Sequence, residues 1–82
     1  MKNTVYMVIS IYNNKKEGLS YEFKVYDNKA KANKKFKDNI NKFIKENEED
    51  IELKNINPYD AEISTLFNKK TLSIQQEIMQ IE

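Results

Sequence analysis

Val5–Tyr26 reads VYMVISIYNNKKEGLSYEFKVY, and this stretch decides the fold. From Val5 to Tyr12 the side chains alternate, with Val5, Met7, Ile9 and Ile11 on one face and Tyr6, Val8, Ser10 and Tyr12 on the other. Period two with β-branched residues specifies a strand. A polar stretch, Asn13 to Gly18, follows, and then Leu19, Tyr21, Phe23 and Val25 alternate against Ser20, Glu22, Lys24 and Tyr26. Two such runs around one short polar connection form a β-hairpin. The only glycine of the chain, Gly18, stands where the turn needs a residue that tolerates positive φ.

Matching the more apolar faces sets Ile11, Ile9 and Met7 opposite Tyr21, Phe23 and Val25, or in a register shifted by two. A slip of one would turn the core outward. This reading expects the odd-numbered face to be covered and leaves Tyr6, Val8, Tyr12 and Tyr26 on the open face, with Tyr6 across from Tyr26 in one register.

Downstream, Asp27 occupies an N-cap position, and from Asn28 to Asn47 the residues Ala32, Phe36, Ile40, Phe43 and Ile44 recur at helical spacing. They share one side of a helical wheel, with Lys31, Lys34, Lys35, Lys37, Lys42 and Lys45 opposite. The amphipathic stripe is expected to pack on the hairpin. From Glu46 to Glu62 the charge reverses to acidic. Ile51, Leu53 and Ile56 fit either a helix extension or a tethered loop, and Asn57-Pro58-Tyr59-Asp60 is a turn. Ala61–Phe67 reads as a third strand and Asn68–Thr71 as a short loop.

The last segment carries two patterns. Leu72 and Ile74 alternate as in a strand, whereas Ser73 with Gln76 resembles a capping box and Ile74, Ile78 and Ile81 have helical spacing. The short turn before it favours a strand paired with Ala61–Phe67. The expected architecture is a single α+β domain over residues 1–82, a small antiparallel sheet in the order ββαββ with one helix on one face.

Composition narrows the chemistry. The 82 residues include no His, Cys, Trp or Arg and a single proline, Pro58, and the net charge is +1. Without imidazole or thiol the chain lacks the groups most used near neutral pH for proton transfer, soft-metal ligation and thiolate attack. The absence of cysteine rules out a disulfide scaffold and makes a reducing cytosol the expected compartment. The N-terminal apolar run is too short for a membrane span and lacks a signal-peptide cleavage pattern. All 14 basic residues are lysines, and the wealth of Lys, Asn and Ile matches A/T-rich codons, which discounts the lysine count as a sign of anion binding. Such a composition fits a small accessory or inhibitor protein of a bacterium, phage or mobile element.

Two surfaces stand out as candidate sites. Tyr6, Val8, Tyr12 and Tyr26 form an amphipathic aromatic patch of the kind enriched at interfaces. Lys31, Lys34, Lys35, Lys42 and Lys45 line one side of the helix and offer phosphate contacts, although without arginine any such binding would be backbone-directed and salt-sensitive. The acidic run Glu48, Glu49, Asp50 and Glu52 lacks the loop signature of a Ca²⁺ site. No nucleophile elbow, phosphate loop or dinucleotide fingerprint brackets Ser10, Ser20, Ser64 or Ser73. The reading expects a non-enzymatic protein-binding module with no catalytic, cofactor or metal site. Its expected partner is another protein or a second copy of the chain, met on a sheet surface. A nucleic-acid-associated protein using the lysine face is the alternative, and no membrane partner is expected.

Overall fold

In the computed structural model, residues 3–81 are described. The elements are β1 (Asn3–Asn14), β2 (Gly18–Tyr26), α1 (Lys29–Glu46), β3 (Ile51–Ile56), β4 (Asp60–Thr65) and β5 (Lys70–Ile81). The strands form one sheet in the order β2-β1-β5-β4-β3, every neighbouring pair antiparallel. The α+β class, the antiparallel sheet and the helix after the first hairpin agree with the sequence patterns. The stretch that fits a helix extension or a loop is instead an edge strand, β3, and the two-patterned C-terminal segment is the long strand β5. This strand pairs with β4, as expected, and also with β1.

Local signals set the local geometry. The first hairpin takes the register that matches the alternating rows, with Met7 opposite Val25, Ile9 opposite Phe23, Ile11 opposite Tyr21 and Tyr6 opposite Tyr26. Gly18 closes its turn at φ 87°. The helix cap is Asn28 rather than Asp27. Asn28 is extended at φ −135° and ψ 127°, and its Oδ1 accepts from the backbone N–H of Ala30 at 2.7 Å and of Lys31 at 3.3 Å. The capping oxygen must reach the second or third N–H of the helix, and Asp27 lies one residue too far out. At the other end the side chain of Asn47 donates to the Phe43 carbonyl at 2.9 Å. Asn57-Pro58-Tyr59-Asp60 is the turn between β3 and β4, held by the Asn57 N–H on the Asp60 carbonyl at 2.8 Å.

The face of the hairpin that α1 covers is the reverse of the expected one. The buried core comprises Val8 from β1, Ala32, Phe36, Ile40 and Phe43 from α1, Ala61 and Ile63 from β4, and Leu72 and Ile74 from β5. Tyr6, Tyr12, Tyr26, Ile44 and Ile51 pack around it, partly buried. The helical stripe is therefore as read, but Tyr6, Val8, Tyr12 and Tyr26 lie on the helix side of the sheet. The cause is the strand that joins β1 from far along the chain. β5 sets Ile74 beside Ser10 and Leu72 beside Tyr12, and β4 continues the row with Ala61 beside Ile74 and Ile63 beside Leu72. That face is mainly apolar across the three central strands.

On the other face β5 sets Ser73, Gln75 and Glu77 beside Ile11, Ile9 and Met7, and β4 sets Glu62 beside Ser73. A helix lying there would bury carboxylates, at a penalty of several kcal/mol per ion without a partner. On the helix side α1 instead covers Val8, Ile74, Leu72, Ala61 and Ile63, apolar surface that gains about 25 cal/mol per Å² on burial, and the Glu22 carboxylate on that side is met by Asn39 and Lys35.

Candidate protein interface on the open sheet face

Alternation in β1 and β2 sends every second side chain away from α1. These are Val5, Met7, Ile9 and Ile11, half-buried by their neighbours, and Leu19, Tyr21, Phe23 and Val25 on the edge strand. The β2 row is open to solvent, with Leu19 53% exposed, Tyr21 66%, Phe23 58% and Val25 52%. Met79, 47% exposed, extends the block from β5 beside Val5. No charged side chain interrupts these two rows, and no element among the described residues covers them. Scattered exposed apolar residues are ordinary, but a contiguous block on a regular sheet is a candidate interaction surface.

The rest of the same face is polar and acidic. Glu77 lies beside Met7, Asp60 beside Gln75 and Glu62 beside Ser73, and Gln75 donates to Glu77 Oε1 at 3.1 Å. Lysines are missing from this half among the described residues: Lys54 sits opposite the buried Ile63, on the helix side, and Lys69 is in the β4–β5 loop. The open face is thus divided, apolar over β2 and β1 and negative over β5 and β4.

On the helix side a polar network stands where the sequence pattern predicts exposed groups. Asn39 lies within the apolar stripe of α1 and is buried. Its amide donates to Ser10 Oγ at 3.0 Å and to Glu22 Oε1 at 2.9 Å. Lys35 Nζ meets the same Glu22 oxygen at 3.1 Å. The Asn39 hydrogen bond, followed by that of Lys35, holds the Glu22 carboxyl below the usual carboxylate range against its partial burial. Glu22 in turn raises Lys35, and burial, reinforced by Glu22, raises the Tyr12 hydroxyl. These groups orient the helix on the sheet. An asparagine in line with Phe36, Ile40 and Phe43 was the legible signal of a buried partner.

Three of the helix lysines are paired with carboxylates. Lys35 turns to Glu22, Lys34 pairs with Asp38 at 3.0 Å and Lys42 with Glu46 at 4.0 Å. Lys31, Lys34 and Lys35 line a shallow depression with Tyr26 and Asp38, while Lys45 is in the last helical turn. Of the acidic run, Asp50 has a structural role. Its Oδ1 accepts from the Phe67 N–H and its Oδ2 from the Asn68 N–H, both at 2.9 Å. These bonds lower its pKa and tie the β4–β5 loop to the turn after α1. A cleft of about 430 Å³ opens between the hairpin turn and the helix C-terminus, lined by Tyr12, Asn39, Lys42, Glu46 and Lys70 among others. Its lysines and carboxylates balance, and no histidine or cysteine exists to supply a base or thiolate.

Among the described residues no three His, Cys, Asp or Glu side chains converge as metal ligands, and no helix is long and apolar enough to cross a membrane. The chain matches no protein-family model, and no curated protein and no solved structure is significantly similar to it.

Proposed function

We propose that this protein is a non-enzymatic, cytoplasmic protein-binding module whose working surface is the open face of the β1–β2 hairpin. One observation carries the reading: an uninterrupted apolar block, rich in exposed large side chains, lies on strands whose opposite face is already committed to a folded core. Such a surface is held flat by the sheet and needs no rearrangement to dock, which limits the ordering entropy that binding must overcome. Phe23 and Tyr21, aromatic and 58% and 66% exposed, are its natural anchors. The cytoplasmic location rests on the lack of cysteine. The lysine face supports a nucleic-acid reading less well, because Lys34, Lys35 and Lys42 are each engaged by a carboxylate.

The test places a photo-crosslinking residue at position 23 on the open face or at position 37 on the exposed outer side of α1, in cells that produce the protein. Protein adducts from position 23 and none from position 37 support the reading. Position 23 without any protein adduct overturns it.

A further inference from the structure

The division of the open face into an apolar half and an acidic half points to a specific occupant, and we infer that it is a second copy of this chain. The two copies stack hairpin on hairpin about a two-fold axis that runs along the strands between β1 and β2. The inference rests on the proposed function and names its partner.

Area is the first argument. At the exposures of Leu19, Tyr21, Phe23, Val25 and Met79, with the half-buried β1 row added, each copy offers on the order of 600 Å² of apolar surface. That reaches the top of the roughly 300–600 Å² range of the largest patch on ordinary monomers and approaches the roughly 800 Å² per partner of a standard stable interface. Two sheets packed face to face at about 10 Å would bury it as the core of a sandwich, with the helices outside.

Charge is the second argument, and it selects the axis. A dyad along the strands lays β2 of one copy over β1 of the other, because β2 is the sheet edge and β1 its neighbour. Phe23 then faces Ile9 of the other copy, its own partner across the hairpin being Ile9 as well. The halves that carry Glu77, Glu62 and Asp60 project to opposite sides and stay in water. A dyad across the strands, centred on the apolar block at the level of Phe23, Ile9, Gln75 and Asp60, would lay β5 on β5 and β4 on β4 and bring Asp60 against Asp60 in a closed space, where like charges repel strongly. The face is self-complementary in one arrangement only, as an isologous contact requires.

The experiment uses the whole purified chain. Light scattering across a concentration series is expected to give twice the 9.8 kDa chain mass. Phe23→Asp, and separately Val25→Lys, are expected to weaken the dimer at least about 100-fold, with circular dichroism unchanged. Since the chain has no cysteine, single introduced thiols report geometry: Ile9→Cys mixed with Phe23→Cys is expected to be joined by a short bis-maleimide, and Asp60→Cys is not expected to be joined to itself. A monomeric mass up to several hundred micromolar, or a dimer that both face variants leave intact, overturns the inference; so does a crosslink between two copies of Asp60→Cys, through the choice of axis. If the chain is monomeric while position 23 captures a different polypeptide in cells, the homodimer fails and the protein-binding reading stands. If the chain is monomeric and position 23 captures nothing, both fail.

Discussion

Asn39 donates its side-chain amide to Ser10 Oγ at 3.0 Å inside the helix–sheet interface, and this contact makes the helix-covered face of β1 habitable. Ser10 is fully buried there. A hydroxyl with no partner at such a site would cost about 1–3 kcal/mol. Asn39 meets that need and reaches Glu22 with the same amide group.

Asn39→Ala is expected to destabilise the fold by about 1–3 kcal/mol, since it strands Ser10 and removes a hydrogen bond from Glu22. Ser10→Ala combined with Asn39→Ala should cost less than the sum of the two single changes, because the pair acts as a unit. Urea denaturation of the four proteins measures the coupling, and strict additivity would show that the bond contributes nothing to stability.

Phe36→Ala is expected to cost about 3–5 kcal/mol, as a buried aromatic truncated in a core that relaxes only partly. Phe36 is 2% exposed and belongs with Val8, Ile63 and Leu72 to the core cluster. Total stability for a chain of this length is about 4–12 kcal/mol, so the variant should lose a large share of it. A loss below about 1 kcal/mol by equilibrium denaturation would mean that α1 does not pack as described.

Stability should fall on both sides of a neutral plateau. Glu22 and Asp50 have folded pKa values below their ordinary ones, so their contribution is complete above the unfolded carboxylate range, about pH 4–4.5, and is lost as pH falls through the folded values. Lys35 and Tyr12 have raised folded values. Their contribution is complete below about pH 10 and is lost as pH rises through the folded values. Glu22→Gln and Asp50→Asn should each shrink the acid limb in pH-dependent denaturation, and a wild-type protein equally stable at about pH 3 and about pH 6 would refute the assignment.

Gly18→Ala should destabilise by about 1–2 kcal/mol through backbone conformation alone. A Cβ at Gly18 meets nothing within 4 Å, but φ is +87°, a region disfavoured for L-residues. Gly18→Asn is expected to cost less, because asparagine tolerates the left-handed region. Equal losses for the two, by thermal or urea unfolding, would place the cost elsewhere.

Much of the architecture was legible in short windows. The rows of β1 and β2, the stripe Ala32, Phe36, Ile40 and Phe43 and the turn glycine follow from periods of two and about 3.6 residues and from turn chemistry, whereas the hairpin register stood open by two residues and the C-terminal segment carried both a strand and a helix pattern. The candidate site was legible only in part. That a hairpin face would stay open was readable, but which face was not. β3 escaped notice because Ile51–Ile56 mixes apolar, acidic and amide residues and carries a register shift between Ile51 and Leu53, which breaks the alternation that announces a strand.

The amino-acid sequence by itself determined which residues travel together: Met7 with Ile9 and Ile11, Tyr6 with Val8 and Tyr12, each set bound to one side of its strand by the pleat. Only the tertiary structure decided which set meets the helix. Both sets are apolar enough to be covered, so the hairpin alone holds no preference strong enough to choose. The choice rests on β5, which comes from the far end of the chain, pairs with β1 and sets Leu72 beside Tyr12 and Gln76 beside Val8. That pairing put Leu72 and Ile74 on one side and Glu77 on the other. The helix therefore lies over Val8, Leu72 and Ile74, where it buries apolar surface without an unpaired carboxylate, and Phe23 and Tyr21 face outward.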